Sequence, residues 1–110
     1  MILTNPMEFI VILITAGSVE EGEKIANALV ESRLAACVNI IPSVKSIFFW
    51  EGKTCLESEV LLVVKRRRQL LEKIIDKVKQ VHSYKVPEII ALPVIDGSRE
   101  YLKWVEESTS

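Results

Sequence analysis

Residues 35–65 read AACVNIIPSVKSIFFWEGKTCLESEVLLVVK, two long runs of β-branched and aromatic residues on either side of Glu51-Gly52-Lys53. Strand-forming residues around a glycine-containing turn predict a hairpin with Ala35–Trp50 and Thr54–Lys65 as its arms. Pro42 removes a backbone donor inside the first arm, which predicts two strand segments in sequence, parted by a bend, bulge or break. At about 3.4 Å per residue, an arm of about 12 residues reaches roughly 40 Å, longer than strands in a domain this small. Overhanging arms leave unpaired edges that invite aggregation, and pairing with another copy removes them, so the hairpin predicts an oligomer.

On the N-terminal side, Glu8 to Thr15 is a nearly continuous apolar run, the pattern of a central strand covered on both faces. Ser18 followed by Glu21 has capping-box spacing, and Gly22, Ile25, Ala26, Leu29 and Val30 recur on one helical face, predicting a helix over Val19 to Arg33. On the C-terminal side, Leu71, Ile74, Ile75 and Val78 form a second stripe ending at His82, predicting a helix over Arg68 to Val81. Pro87 stops it, Glu88 to Ile95 is a further strand, and Ser98 caps a short last helix carrying Tyr101, Leu102, Trp104 and Val105. The order β-α-β-β-α-β plus a helix is an α+β, ferredoxin-like sandwich with a long central hairpin and a short C-terminal helix.

The chain has 110 residues, enough for one core. Residues 1–7 read as a flexible tail, with Met7 an alternative start, and residues 8–110 as a single domain. Fourteen Lys and Arg balance fifteen Asp and Glu, for a formal net charge of -1, which gives no electrostatic case for nucleic acid. The longest apolar run, Phe9 to Ile14, is too short to span a bilayer, so neither a membrane partner nor a secretory signal is expected and a cytoplasmic location is the default. Cys37 and Cys55 lack C-x-x-C spacing and indicate neither a disulfide framework nor a zinc knuckle. With one histidine and no glycine-rich phosphate loop beside an arginine, an acylphosphatase-like enzyme is not expected.

Arg33-Leu34-Ala35-Ala36-Cys37-Val38-Asn39, Phe49-Trp50-Glu51-Gly52-Lys53, Glu59 with Lys65, and the Tyr101 to Trp104 tail together resemble the CutA family. So, most clearly, does His82-Ser83-Tyr84-Lys85-Val86-Pro87-Glu88-Ile89, which is similar to its H-P-Y-x-x-P-E-I signature. The likeness runs from about Glu8 to Glu107. It implies subunits whose hairpins interlock in a homotrimer, with polar residues lining clefts between them. It also implies tolerance of divalent metals, chiefly copper, without enzymatic activity. The fold and trimer equally resemble PII-like signalling proteins, which implies the alternative of a small-ligand-sensing or scaffolding trimer.

The resemblance makes Trp50, Glu59, Lys65, Tyr84 and Glu88 candidates for the cleft, with an anion or nucleotide near Lys65, Tyr84 and Glu88 as one reading. No cofactor is required; Cu(II) or another divalent ion would look to His82 and Cys37, since copper favours imidazole and thiolate. Ile14 and Val81 stand where relatives with a described copper site carry a cysteine and a second histidine, and Ser83 and Lys85 also depart from the signature. The alternative reading of His82 is an imidazole hydrogen-bonded to a neighbouring carboxylate, of Cys37 a buried structural thiol, and of Cys55 a surface thiol. Glu59 and Lys65 share a strand face roughly 20 Å apart, so partners such as Tyr84 or Glu88 of a neighbouring subunit are expected for them. Trp50 is expected to anchor on the next subunit, and Lys65-Arg66-Arg67-Arg68 to be a solvated basic corner.

Overall fold

The computed structural model describes residues 9–109; the expected tail at 1–7 lies outside the described residues. The elements are β1 Phe9–Ala16, α1 Val19–Glu31, β2 Cys37–Trp50, β3 Lys53–Arg67, α2 Leu71–Val81, β4 Ile89–Pro93 and α3 Arg99–Ser108. They form a four-stranded sheet in the order β2-β3-β1-β4, every neighbouring pair antiparallel. This is the expected α+β arrangement with its long central hairpin and C-terminal helix. Among the described residues no helix is long and apolar enough to cross a membrane.

Strand alternation sends Ile10, Ile12 and Ile14 of β1 to the same face as Val60, Leu62 and Val64 of β3, where Ile25 and Leu29 of α1 and Ile74 and Val78 of α2 close over them. Full burial of each such side chain contributes about 1.5–3 kcal/mol. Gly22 lets α1 settle onto β3: a Cβ there would lie 3.3 Å from Leu62 and from Val60. The expectation that β1 is covered on both faces is corrected. Its burial alternates, with Val11 and Leu13 only half-buried, because both long helices lie on one side of the sheet. On the other side α3 covers part of β3 and β2. Arg67 donates to the Thr109 carbonyl at 2.7 Å, and Tyr101 lies against Cys37.

The hairpin is longer than two separate segments. Of the bend, bulge or break expected at Pro42, the bulge is what forms, a register shift between Ile41 and Val44; β2 otherwise runs continuously, so the first arm is one strand and not two. Glu51 (φ 51°) and Gly52 (φ 80°) are both left-handed, so Trp50 and Lys53 face each other across a two-residue turn whose twist suits the strands. The arms project beyond the core and stretch the molecule to 46 × 30 × 23 Å, with a radius of gyration of 14.8 Å against about 13 Å for a compact chain of this length.

Helix ends fall inside the expected ranges. α1 stops at Glu31, followed by Arg33 in the left-handed region (φ 63°), and α2 starts at Leu71 because Arg67 still pairs with Phe9 and Leu70 is left-handed (φ 68°). β4 is shorter than expected, Ile89–Pro93, its last link being the Val94 amide on the Phe9 carbonyl at 3.0 Å. The basic stretch is not a solvated corner. Arg66 shares the helix-facing side with Val64 and is fully buried, donating to the Leu34 carbonyl at 2.7 Å and to the Arg67 carbonyl. Burial, with neighbouring Arg67, lowers its pKa to about 10.

Candidate functional site

The segment after α2 is pinned by one imidazole and one carboxylate. The His82 side chain is fully buried, with Nε2 2.7 Å from the Thr15 carbonyl and Nδ1 accepting the Tyr84 amide at 3.0 Å. An accepting Nδ1 leaves the proton on Nε2, so the ring is a neutral donor to β1 and both nitrogens are occupied. Glu21 Oε2 lies 3.6 Å from Nδ1, but that nitrogen is already engaged and the contact is not an ion pair. The neighbouring carboxylate expected beside His82 is therefore present, though it holds the backbone instead of the ring.

Glu21 sits in the capping position that its spacing from Ser18 predicts: the Ser18 hydroxyl accepts the Glu21 amide at 3.1 Å. Its carboxylate accepts the Gly17 amide at 3.2 Å and, across the structure, the Ser83 amide at 2.6 Å. Burial works to raise the Glu21 pKa, yet the hydrogen bonds from Ser83 and Gly17 outweigh it and hold the carboxyl below its ordinary value. One helix cap thus fixes the loop that carries Tyr84, Lys85 and Glu88.

Tyr84 points from this loop to the base of the hairpin, where its hydroxyl donates to Glu59 Oε2 at 2.7 Å. Burial, reinforced by the Glu59 carboxylate, raises the phenol's pKa well above its usual value, so it stays a donor. The expected partner of Glu59 in a neighbouring subunit is corrected: Glu59, only 9% exposed, is met by its own chain's Tyr84. The 82–88 loop arrives over the end of β3 because α2 returns the chain there.

Between this loop and the hairpin lies a cavity of about 770 Å³. The loop side supplies Tyr84, Lys85, Val86 and Glu88; the hairpin side supplies Ser46, Ile47, Phe48, Trp50, Cys55, Glu57 and Glu59, with Thr15 at the back. Of the sequence candidates, Trp50, Glu59, Tyr84 and Glu88 come together here. Lys65 does not: it pairs with Val11 and Cys37 near the opposite end of β1 from Thr15. Cys37 is there too, half-buried, and His82 lies behind the cavity, so the two metal candidates are not neighbours. Among the described residues no group of three His, Cys, Asp or Glu side chains is placed to hold a metal ion.

Comparisons with known proteins match this chain over nearly all of the described fold. A family model described as CutA1 divalent ion tolerance protein matches residues 10–108. The chain belongs to the CutA1 family. It is 50% identical over 99 residues to the divalent-cation tolerance protein CutA of Thermus thermophilus, covering 90% of this chain and 96% of that one. It is 48% identical to the chloroplastic CutA protein of Arabidopsis thaliana over 91% of this chain, but spans only 55% of that longer protein. Among solved structures, CutA1 of Thermus thermophilus superposes with a TM-score of 0.91 at 49% identity, covering 93% of this chain and 99% of that one. CutA1 of Oryza sativa gives 0.92 at 40% identity, covering 97% and 98%.

Within this CutA1 chain, sequence reasoning missed Glu57 and Cys55 as cavity residues and Glu21 as the organiser of the loop. The first two carried a legible signal, since residues two apart on a strand share a face and Cys55, Glu57 and Glu59 form one such row. Lys85, read only as a departure from the CutA signature, is a wall of the cavity.

Proposed function

We propose that this CutA1-family chain acts as a homotrimer in the response to divalent metal ions, with the cavity between hairpin and His82–Glu88 loop as its functional site. The assembly reading rests on one observation. The arms carry bare apolar side chains, with Ile47 and Phe49 each 72% and Leu56 62% exposed, and Trp50 half-exposed at the tip. A patch of this kind on a projecting arm marks a surface meant to be covered, and a second copy presenting the same arm is the partner that removes the open strand edges. Light scattering tests it: a mass near three times 12.4 kDa is expected, and a stable monomer sinks the reading.

The metal role follows the names of the relatives, divalent-cation tolerance proteins. Cu(II) is the first ion to test because copper heads the Irving–Williams order. With both His82 nitrogens engaged and Cys37 apart from it, these residues do not form a copper site within one chain. Growth of a strain lacking the protein is expected to fall in elevated copper and to recover with the wild-type chain; equal growth with and without it overturns the metal role. Unpaired Cys37 and Cys55 favour a reducing, cytoplasmic setting, although an Archaeoglobus fulgidus relative is titled periplasmic. The second reading, small-ligand sensing, is favoured by the cavity volume, which falls within the range of ligand pockets.

A further inference from the structure

The cavity is graded along the hairpin. On the face that lines it, Val44 pairs with Glu59, Ser46 with Glu57, Phe48 with Cys55 and Trp50 with Lys53. Carboxylates therefore stand at the base and aromatic rings toward the tip, with successive levels about 7 Å apart. Three carboxylates, Glu57, Glu59 and Glu88, face one ammonium, Lys85, so the lining carries an excess of negative charge. Lys65 of the same chain is not in this wall.

Glu59 adds an independent observation. It is nine-tenths buried and lines the cavity, yet among the described residues only Oε2 has a donor, the Tyr84 hydroxyl. Oε1 has no protein donor among the described residues and is not itself buried, so it stands as an acceptor open to the cavity. A donor that is also cationic offsets the excess charge. An apolar body behind it meets Phe48 and Trp50, whose rings bury it.

We propose that this cavity binds an amphiphilic organic cation: a primary ammonium seated between Glu57 and Glu59, with an apolar or aromatic body extending toward Phe48 and Trp50. The inference rests on the reading of this cavity as the functional site and names its ligand class. An aryl ring two carbons from an ammonium spans about one level of the gradient, roughly 7 Å. Phenethylammonium is therefore the probe, with 2-phenylethanol and phenylacetate as its neutral and anionic counterparts.

The measurement is tryptophan fluorescence of a Trp104→Phe chain, in which Trp50 is the only reporter. Saturable change with phenethylammonium is expected, about ten-fold weaker with the alcohol and weaker still with phenylacetate. Glu59→Gln, which keeps an acceptor for Tyr84, is expected to weaken the ammonium about ten-fold while leaving the alcohol unchanged. If Glu59→Gln does not fold, as judged by circular dichroism, exposed Glu57→Gln carries the same expectation. Equal binding of all three probes, tighter binding of phenylacetate, or no saturation by any probe, as when a side chain of a second copy already fills the site, overturns the proposal. The mass of the same sample separates this from the assembly: a trimer without ammonium preference sinks the ligand class alone, and a binding monomer sinks the trimer alone.

Discussion

Tyr84 and Glu59 meet where a buried charge would otherwise be left with no internal donor, and Glu21 holds the loop that makes the meeting possible. Tyr84→Phe keeps the ring and removes the donor, so it is expected to lower stability by about 1–3 kcal/mol, read as a lower urea midpoint at unchanged slope. Glu59→Gln in the Tyr84→Phe background should then recover part of the loss, because an uncharged amide costs less to bury. The Glu21 carboxyl, held below its ordinary value by the Ser83 and Gly17 amides, gives a pH dependence of definite sign. A depressed carboxyl contributes stability above its unfolded pKa, near the ordinary 4.5, and loses it as pH falls through the folded value. Denaturation from about pH 6 down to about pH 3 should show this acid-side loss in the wild type and a shallower one in Glu21→Gln. Identical slopes would show that Glu21 titrates alike in both states.

The hairpin, legible from its composition alone, depends on a turn whose chemistry is only half ideal. Gly52 adopts its positive φ freely, whereas Glu51 does so under strain. Gly52→Ala is expected to cost about 1 kcal/mol and Glu51→Asn to gain a few tenths, both measured by thermal unfolding. The same contrast explains what could be read beforehand. Helices, strands and their order followed from local periodicity and caps, as Ser18 and Ser98 show by accepting the Glu21 and Tyr101 amides. Long-range facts were not local: Pro42 reads equally as a bend, a bulge or a break until pairing with β3 shows a register shift, and Arg66 reads as solvated until alternation along β3 turns it toward the helices. The link from Glu21 to Ser83 spans 62 positions, and no spacing rule reaches that far. A third of the cavity wall was visible as Trp50, Glu59, Tyr84 and Glu88; Cys55 and Glu57, in one row with Glu59, were written in the strand period but unread.

At the scale of the whole molecule, the core lies on one side of the sheet and much of the remaining apolar surface lies on the other side or on the arms. Ile90 and Leu92 on edge strand β4 are about half exposed, as are Tyr101 and Trp104 on α3, and the hairpin is barer still. Folding of one chain thus leaves a second layer of burial to association, and stability becomes tied to protomer concentration. The midpoint of thermal unfolding is expected to rise with protein concentration, a dependence a monomer does not show. Introducing charge on the arm separates the two layers. Ile47→Lys with Phe49→Lys touches no residue of the central core, so the double variant should retain the circular dichroism of the fold while its mass falls toward 12.4 kDa. Two ammonium groups on each arm oppose covering by any apolar partner surface, since a charge is buried only when paired. Retention of the full oligomer mass by this variant would mean that the arms are not the interface and that the exposed β4 and α3 surfaces carry the association.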